Sequence, residues 1–261
     1  MQYRISAQQQ YPEDAGFLNG VGVHTARTIM FKEISTILST TNADTSFDEI
    51  KGKVIDENLL QKASISGRRK SFAYLKKAYG LDPDIPIFRA LCWAWNVSEE
   101  GERPLMALLC VLCRDASLRV SASYILTLPA GTVVEKQVLS SELERAFPNV
   151  YSPAVVESMT RNLLSSWTQS GHLEGFRDKS RSKASSHAGS TVFALYIASL
   201  TGLKGRILFD SLWVRALDAT DRELQDSIHL ASRRGWLKYH ESGGMMEITL
   251  IPEIFAGARG L

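Results

Sequence analysis

Helical periodicity is the feature of this sequence that most constrains its fold. Apolar residues recur at three- to four-residue spacing in one segment after another, and capping residues, prolines and glycines separate the segments. Ser46 and Glu49 form a capping box at one helix start, and Gly80 suits a helix end because glycine tolerates a positive φ. Two runs, 236–240 and 245–250, instead alternate as strands do. The sequence therefore predicts a mainly α-helical protein with small β-hairpins.

The predicted helix boundaries follow from these signals. We predict helices at residues 25–38, 46–60, 67–79, 88–95, 105–113, 118–126, 141–147, 152–170, 191–200, 209–217 and 220–234. A short turn at 61–66 is expected between the second and third helices. Residues 176–190 are rich in serine, lysine and arginine, and this composition predicts either a mobile loop or a long wing.

The order of these elements suggests three parts built from tandem helix-turn-helix and winged-helix units on a helical core. Residues 1–128 are expected to form an N-terminal helical domain, in which 46–80 make the first helix-turn-helix. Residues 129–190 are expected to form a second helix-turn-helix followed by a basic loop or wing. Residues 191–261 have the order helix, turn, helix, hairpin, which is typical of a winged-helix unit.

Overall composition leaves the function open. The chain has 30 basic and 28 acidic side chains, a net charge of +2, so an argument for nucleic-acid binding must come from where the charge lies. Three cysteines cannot form a paired disulfide framework, and the N-terminal segment lacks a signal-peptide pattern. The longest apolar run, residues 104–113, spans about 15 Å as a helix, half of a hydrocarbon core of about 30 Å. We expect a cytoplasmic protein without membrane association.

The segment 60–80 carries the strongest local charge. It contains six basic residues and no acid, namely Lys62, Arg68, Arg69, Lys70, Lys76 and Lys77. On a helical wheel Phe72, Leu75 and Tyr79 share one apolar face, whereas Lys70 and Lys77 stack on the opposite face. Such a helix can follow phosphates as part of a helix-turn-helix. The alternative is an ordinary solvated helix surface.

Later basic positions give a weaker signal. The outward positions of the helix at 152–170 include small polar residues that can approach base edges. A polar loop with several basic residues follows this helix. The residues predicted to contact DNA in these two segments are Ser152, Ser158, Arg161, Arg177, Lys179, Arg181 and Lys183. A plain exposed face and a solubilising loop explain them equally well. The helix at 220–234 exposes mixed charge, which favours protein docking over DNA contact.

Motifs that would indicate catalysis or metal binding are weak. Cys110 and Cys113 have CxxC spacing, but they lie in an apolar segment without a second ligand pair, which favours buried structural cysteines. The five histidines form no metal-binding pattern, and no phosphate-binding loop or nucleophile elbow is present. We expect no enzymatic activity, no cofactor and no metal, although residues distant in sequence could still assemble a site.

Two stretches resemble the BrxA family of bacteriophage exclusion (BREX) defence systems. The first runs from 47–51 through 58–62 to Ser66, Arg68, Arg69 and Leu75, and is similar to the family's acidic-apolar run followed by a basic helix. The second is the capped helix and its ending at 152–173. Coverage is roughly residues 15–175, so the C-terminal part at 191–261 departs from the pattern.

The resemblance implies a mainly helical protein with two helix-turn-helix elements beside positive surface. It implies binding of double-stranded DNA as a non-enzymatic accessory to phage defence, together with other BREX proteins. The positions that carry over are Arg68, Arg69, Lys70, Ser158 and Arg161. The chain is expected to be a monomer or weak dimer. Two alternatives remain open: an adaptor that docks defence proteins with incidental nucleic-acid contact, and an RNA-binding protein.

Overall fold

The computed structural model describes residues 9–42, 44–242 and 245–255, and it confirms the mainly helical fold. The helices are α1 (Phe31–Leu38), α2 (Phe47–Ile55), α3 (Ile65–Tyr79), α4 (Pro86–Val97), α5 (Arg103–Arg114), α6 (Ala116–Ile125), α7 (Lys136–Ala146), α8 (Pro153–Gln169), α9 (Ala188–Leu200), α10 (Leu212–Arg215) and α11 (Asp221–Arg233). The strands are β1 (Leu173–Glu174), β2 (Ser180–Arg181), β3 (Leu237–Ser242) and β4 (Met245–Leu250). They form two small antiparallel sheets, β1–β2 and β3–β4.

Two buried helices, α5 and α9, occupy the centre of the molecule. Helix α5 packs against α3, α4, α6 and α9, and α9 also packs against α10 and α11. The predicted buried helix at 104–113 is thus confirmed as part of α5. One continuous apolar core extends from Tyr11 to Phe255, so the three predicted parts share their interior. Within the described residues, no helix is long and apolar enough to cross a membrane.

Helices α2 and α3 show where local signals succeed and where they fail. The capping box is confirmed, since the amide of Ser46 donates to Glu49 Oε2 over 2.7 Å and the amide of Glu49 donates to Ser46 Oγ over 3.3 Å. The predicted continuation of this helix to residue 60 is wrong. Helix α2 ends at Ile55, and Asn58 and Gln61 adopt φ values of 57° and 52°, which an α-helix does not accommodate. The connection to α3 is therefore residues 56–64, longer than the predicted turn.

Other helix boundaries also differ from their predictions. Residues 25–30 are not helical, because the amides of His24 and Ile29 donate to side chains of neighbouring elements. Helix α7 starts at Lys136 rather than at residue 141. Helix α9 starts at Ala188, inside the predicted loop. The predicted helix at 209–217 is a 3₁₀ turn, Gly205–Asp210, followed by the short α10.

Paired strands are found in the predicted hairpin at 236–250 and also within and just before the segment 176–190, for which the sequence predicts either a mobile loop or a long wing. In the β1–β2 hairpin Leu173 pairs with Arg181, and the isolated partner Val133 pairs with Ser180 along the other edge of β2. The polar segment at 176–190 therefore contains the hairpin tip, strand β2, the irregular residues 182–187 and the start of α9. Strands β3 and β4 pair along their full length, as predicted, and their connection at 243–244 lies outside the described residues.

Candidate nucleic-acid interface

The basic segment at 62–77 lies mostly on α3, as the sequence predicts. Ser64 begins this helix by accepting a hydrogen bond from the amide of Gly67 over 3.1 Å, and Gly80, with φ of 88°, ends it. Phe72, Leu75 and Tyr79 are buried, so the helix turns its basic residues outward. Packing of the apolar stripe against α2 and α5 thus fixes which side of α3 faces solvent.

Three basic residues of this segment contact protein groups. Lys62 Nζ forms an ion pair with Glu33 Oε1 over 3.0 Å. Arg68 Nη1 donates to the carbonyl of Ile55 over 3.1 Å and so caps the C-terminus of α2. Lys76 Nζ lies over the ring of Phe47, 4.7 Å from its centroid. The cationic groups of Lys62 and Arg68 are therefore occupied by contacts within the protein, and that of Lys76 is partly occupied in the same way.

The remaining cations of α3 face solvent, and a fourth joins them from elsewhere in the chain. Arg69, Lys70 and Lys77 are exposed. Arg27, in the turn before α1, is exposed as well, and its guanidinium lies 4.7 Å from the ring centroid of Tyr74, which neighbours Lys70 and Lys77 on the helix. These four cations form no ion pair within the part of the chain that the structure describes. We call them the α3 basic surface.

The predicted contacts on α8 carry little net charge. Ser152 is exposed at the N-cap position but makes no capping hydrogen bond, and Ser158 is half-buried. Arg161 Nη1 forms an ion pair with Glu157 Oε1 over 2.5 Å, one turn away on the same exposed face. The α8 face therefore offers polar groups and one neutralised cation, rather than a positive surface.

The four basic residues predicted to contact DNA after α8 have different environments. Arg177 is exposed at the tip of the β1–β2 hairpin, and Lys179 Nζ donates to the carbonyl of Gly175 over 2.6 Å. Lys183 Nζ lies 2.6 Å from both carboxylate oxygens of Glu223. Its hydrogen bond, together with those from Thr220, lowers the pKa of Glu223 to about 2. Lys183 thus ties the chain after β2 to α11.

Arg181 is enclosed by protein and is removed from the predicted DNA contacts. Its side chain is 4% exposed and Nη2 forms an ion pair with Asp218 Oδ1 over 2.7 Å. Nε donates to the carbonyl of Ile125 at the end of α6, and Nη1 donates to the carbonyl of His172, each over 3.1 Å. No phosphate can approach this guanidinium, which instead fixes the base of the β1–β2 hairpin.

Arginine capping of helix ends is a repeated device in this fold. Besides Arg68 and Arg181, Arg114 Nε donates to the carbonyl of Lys77 in the last turn of α3 over 3.0 Å. Arg119 Nη1 donates to the carbonyl of Leu112 in the last turn of α5 over 2.9 Å. A guanidinium suits this position because helix C-termini leave carbonyls unpaired and carry partial negative charge. Sequence alone does not distinguish these arginines from surface ones.

A buried polar network that the sequence analysis missed joins the N-terminal segment to α8. His24 Nδ1 lies 2.6 Å from Asp115 Oδ2, and His24 Nε2 lies 2.9 Å from Ser166 Oγ. All three residues are fully buried. Burial by itself raises the pKa of Asp115, but the charge and hydrogen bond of His24 and a hydrogen bond from Ser117 outweigh burial and hold that pKa well below its ordinary value.

Asp115, His24 and Ser166 contact one another in the order found in an Asp-His-Ser hydrolytic triad, but Ser166 is not accessible to a substrate. Ser166 Oγ accepts a hydrogen bond from the amide of Ile29 over 3.0 Å and lies 2.8 Å from the carbonyl of Asn162. A nucleophilic serine must be exposed to its substrate. Here the oxygen is surrounded by protein, so the network ties residues 23–29 to α6 and α8.

Cys110 and Cys113 are buried, as predicted, and Cys92 is buried as well. Burial raises the pKa of Cys92 and of Cys110 to about 12, so neither thiol ionises at neutral pH. Within the described residues, no group of three His, Cys, Asp or Glu side chains is placed to hold a metal ion.

The C-terminal part has mixed surface charge. An open groove of about 800 Å³ lies between α11 and β3, and its lining includes Asp226, Arg233 and Glu241 as well as His229 and His240. Carboxylates and a guanidinium share this groove, which distinguishes it from the α3 basic surface.

Comparisons with known proteins do not place the chain in a family. No protein-family model matches it, and a search of curated proteins finds no significant relative.

Proposed function

We propose that this protein binds double-stranded DNA, without enzymatic activity of its own, chiefly through the α3 basic surface. The observation that carries this proposal is the grouping of Arg27, Arg69, Lys70 and Lys77 in solvent without an ion-pair partner in the described chain. Cations that protein carboxylates do not neutralise are available to phosphates and can displace condensed counterions. Such contacts depend on the backbone of the duplex, so we infer binding with little sequence preference.

The arrangement of the later elements supports a winged-helix interpretation of both hairpin-bearing units. In the first unit, α6 is followed by a short segment at 131–134, then by α7, α8 and the β1–β2 hairpin. Residues of that short segment pair with residues 179–181. The second unit has the order α9, α10, α11 and the β3–β4 hairpin. In helix-turn-helix proteins the second helix of the pair approaches DNA. By this analogy α8 contributes small polar contacts in addition to the phosphate contacts of α3.

A role in BREX-type phage defence is part of the proposal and rests on the sequence resemblance at 47–75 and 152–173. In that role the protein would be an accessory that holds DNA for other proteins of the defence system, without a cofactor. Most of helix α3 lies within the first resembling stretch, which includes Arg69 and Lys70 of the α3 basic surface.

A gel-shift titration of the purified chain tests DNA binding. The probes are a random duplex DNA and an RNA duplex of the same length, at low and at physiological salt. We expect the DNA to shift, with affinity that falls steeply as salt rises. Absence of a DNA shift even at low salt would overturn the proposal, and tighter binding of the RNA would favour the RNA alternative.

A protein-docking role is the second candidate, and the mixed-charge groove between α11 and β3 favours it. A groove lined by both signs of charge favours a partner with a complementary mixture of charges over a uniformly charged polymer. Co-purification of defence proteins after nuclease treatment would support this role, particularly if charge reversal at Arg233 abolished it and the Lys70 and Lys77 positions had no influence.

A further inference from the structure

The tip of the β1–β2 hairpin presents an aromatic ring to solvent. Phe176 is 91% exposed, whereas the next most exposed large apolar side chain among the described residues, Val150, is 61% exposed. Burying a phenylalanine side chain is worth about 1.5–3 kcal/mol, so a ring left in water forgoes stabilisation that folding could have used. A ring in this position is free to contact a ligand.

The backbone of the tip fixes the ring in its exposed position. Gly175 has φ of 91°, and a Cβ added to it would lie 2.2 Å from the carbonyl oxygen of Asp178, so only glycine fits this tight turn. Lys179 Nζ bonds to the carbonyl of Gly175 and closes the same turn. The turn therefore holds residues 176–178 outward and gives Phe176 no route back to the core.

The rest of the hairpin is braced against the protein. The amide of Val134 donates to the carbonyl of Lys179 over 2.8 Å, and the amide of Arg181 donates to the carbonyl of Thr132 over 2.8 Å. The buried Arg181 guanidinium attaches the hairpin base to α6 and Asp218. A ring on a braced hairpin loses little conformational freedom on binding, which favours insertion into a ligand.

The surroundings of Phe176 favour a nucleic acid over a protein partner. Its neighbours Glu174, Arg177 and Asp178 are exposed and charged, so the tip offers one ring rather than an apolar patch. A stable protein interface needs about 800 Å² on each partner. A single step between base pairs, by contrast, accepts one apolar side chain from the minor groove.

We propose that Phe176 is a wedge that enters a base step of duplex DNA from the minor groove and kinks the duplex. This inference rests on the proposed DNA binding and adds a second kind of contact to it. The tip has two cations and two carboxylates, so attraction to phosphates comes from the α3 basic surface while the ring acts on the stacked bases. Arg177, beside the ring, then lines the groove with a guanidinium.

The test measures affinity and bending together on one duplex. A random duplex of about 30 base pairs carries fluorophores at its two ends, so that energy transfer rises when the DNA kinks. The wild-type chain is compared with Phe176→Ala, with Phe176→Leu, which keeps an apolar wedge, and with the control Ile207→Ala. Ile207 is 60% exposed in the 3₁₀ turn before α10, so the control also removes an exposed apolar side chain.

We expect Phe176→Ala to bind about tenfold more weakly and to leave the duplex straight, while Phe176→Leu and Ile207→Ala keep both affinity and bend. Equal affinity and bend for wild type and Phe176→Ala would overturn the wedge. Wild-type binding without any bend would overturn it as well. These outcomes leave the proposed DNA binding standing, whereas a wild-type chain that binds no duplex would overturn both proposals.

Discussion

The two basic segments of this chain, 62–77 on and before α3 and 177–183 at the β1–β2 hairpin, look alike in sequence and differ in structure. On α3, Arg69, Lys70 and Lys77 remain in solvent without ion pairs in the described chain. In the hairpin, Arg181 is buried against Asp218 and Lys183 is paired with Glu223. A run of cations is thus available to a ligand only where no carboxylate or helix end from elsewhere in the chain reaches it.

The difference arises from what each segment packs against. Among the described residues, Arg27 lies over Tyr74 on the outward side of α3 and adds a cation there. The hairpin instead returns along the end of α6 and faces Asp218, just before α11, so carbonyls and a carboxylate surround it. Both segments carry mainly basic side chains. The elements that pack against each segment determine whether those side chains remain available to a ligand.

Replacement of Arg181 should give the largest stability effect. Arg181→Met removes the cation that pairs with the half-buried Asp218 and one donor to each of the carbonyls of Ile125 and His172. We expect it to lower the free energy of unfolding by about 3–5 kcal/mol, chiefly because the carboxylate loses its cation. The matched control is Arg177→Met, which changes the same residue type at the exposed tip of the same hairpin. Urea unfolding measures both, and equal midpoints for the two variants would contradict the distinction between committed and free cations.

Acid should destabilise the anchored hairpin through His172. This ring is fully buried, its Nε2 donates to the carbonyl of Ala216 over 2.9 Å, and burial lowers the pKa of His172 to about 4. The unfolded chain, with the ordinary histidine pKa of about 6.5, therefore binds a proton first as the pH falls. Stability should drop by about 2 kcal/mol between about pH 7 and pH 5.

His172→Gln isolates this contribution, because it can retain a donor to Ala216 without a titrating ring. Unfolding curves at several pH values should show a flatter profile for the variant over the same range, whatever its absolute stability. If the free energy of unfolding of the variant fell with pH as steeply as that of the wild type, other groups would cause the acid sensitivity. Neutral His172 would then not be the group that stabilises the hairpin.

Alanine at Lys70 and at Lys77 should give the smallest stability effect. Both side chains are exposed and unpaired within the described chain, so each substitution should change the free energy of unfolding by less than about 0.5 kcal/mol. A loss comparable to that of Arg181→Met would show that α3 uses its lysines for the fold, as the hairpin uses its arginine.

Elements that depend on neighbouring residues could be predicted from the sequence. The capping box of Ser46 and Glu49, the end of α3 at Gly80 and the β3–β4 pairing all rest on interactions a few residues apart. The outward position of Lys70 and Lys77 follows from the apolar stripe of the same helix. These parts of the candidate site were accessible because a helix fixes the side of each residue by its spacing.

Contacts between distant residues could not be predicted. The placement of Arg27 on Tyr74, the His24–Asp115–Ser166 network and the Arg181–Asp218 pair each join elements far apart in the chain. No local pattern distinguishes Arg181 from Arg177, or Arg68 from Arg69, although one member of each pair is committed to the fold. The exposure of Phe176 likewise results from the turn at Gly175. The polar composition of this segment predicts a loop and gives no sign that an aromatic ring is held at its tip.

The proposed function requires that the α3 basic surface binds duplex DNA. The most direct measurement is a salt titration of DNA affinity for the wild type, for Lys70→Glu with Lys77→Glu, and for a control with Arg222→Glu and Lys238→Glu. The control positions are exposed in the C-terminal part, so both double variants change the net charge equally.

We expect the Lys70 and Lys77 double variant to bind at least about tenfold more weakly and to lose about two from the log–log salt slope, while the control stays close to the wild type. Equal losses in the two double variants would mean that only net charge matters. Wild-type affinity in the Lys70 and Lys77 variant would contradict the account, because α3 would then be a solvated face without a ligand.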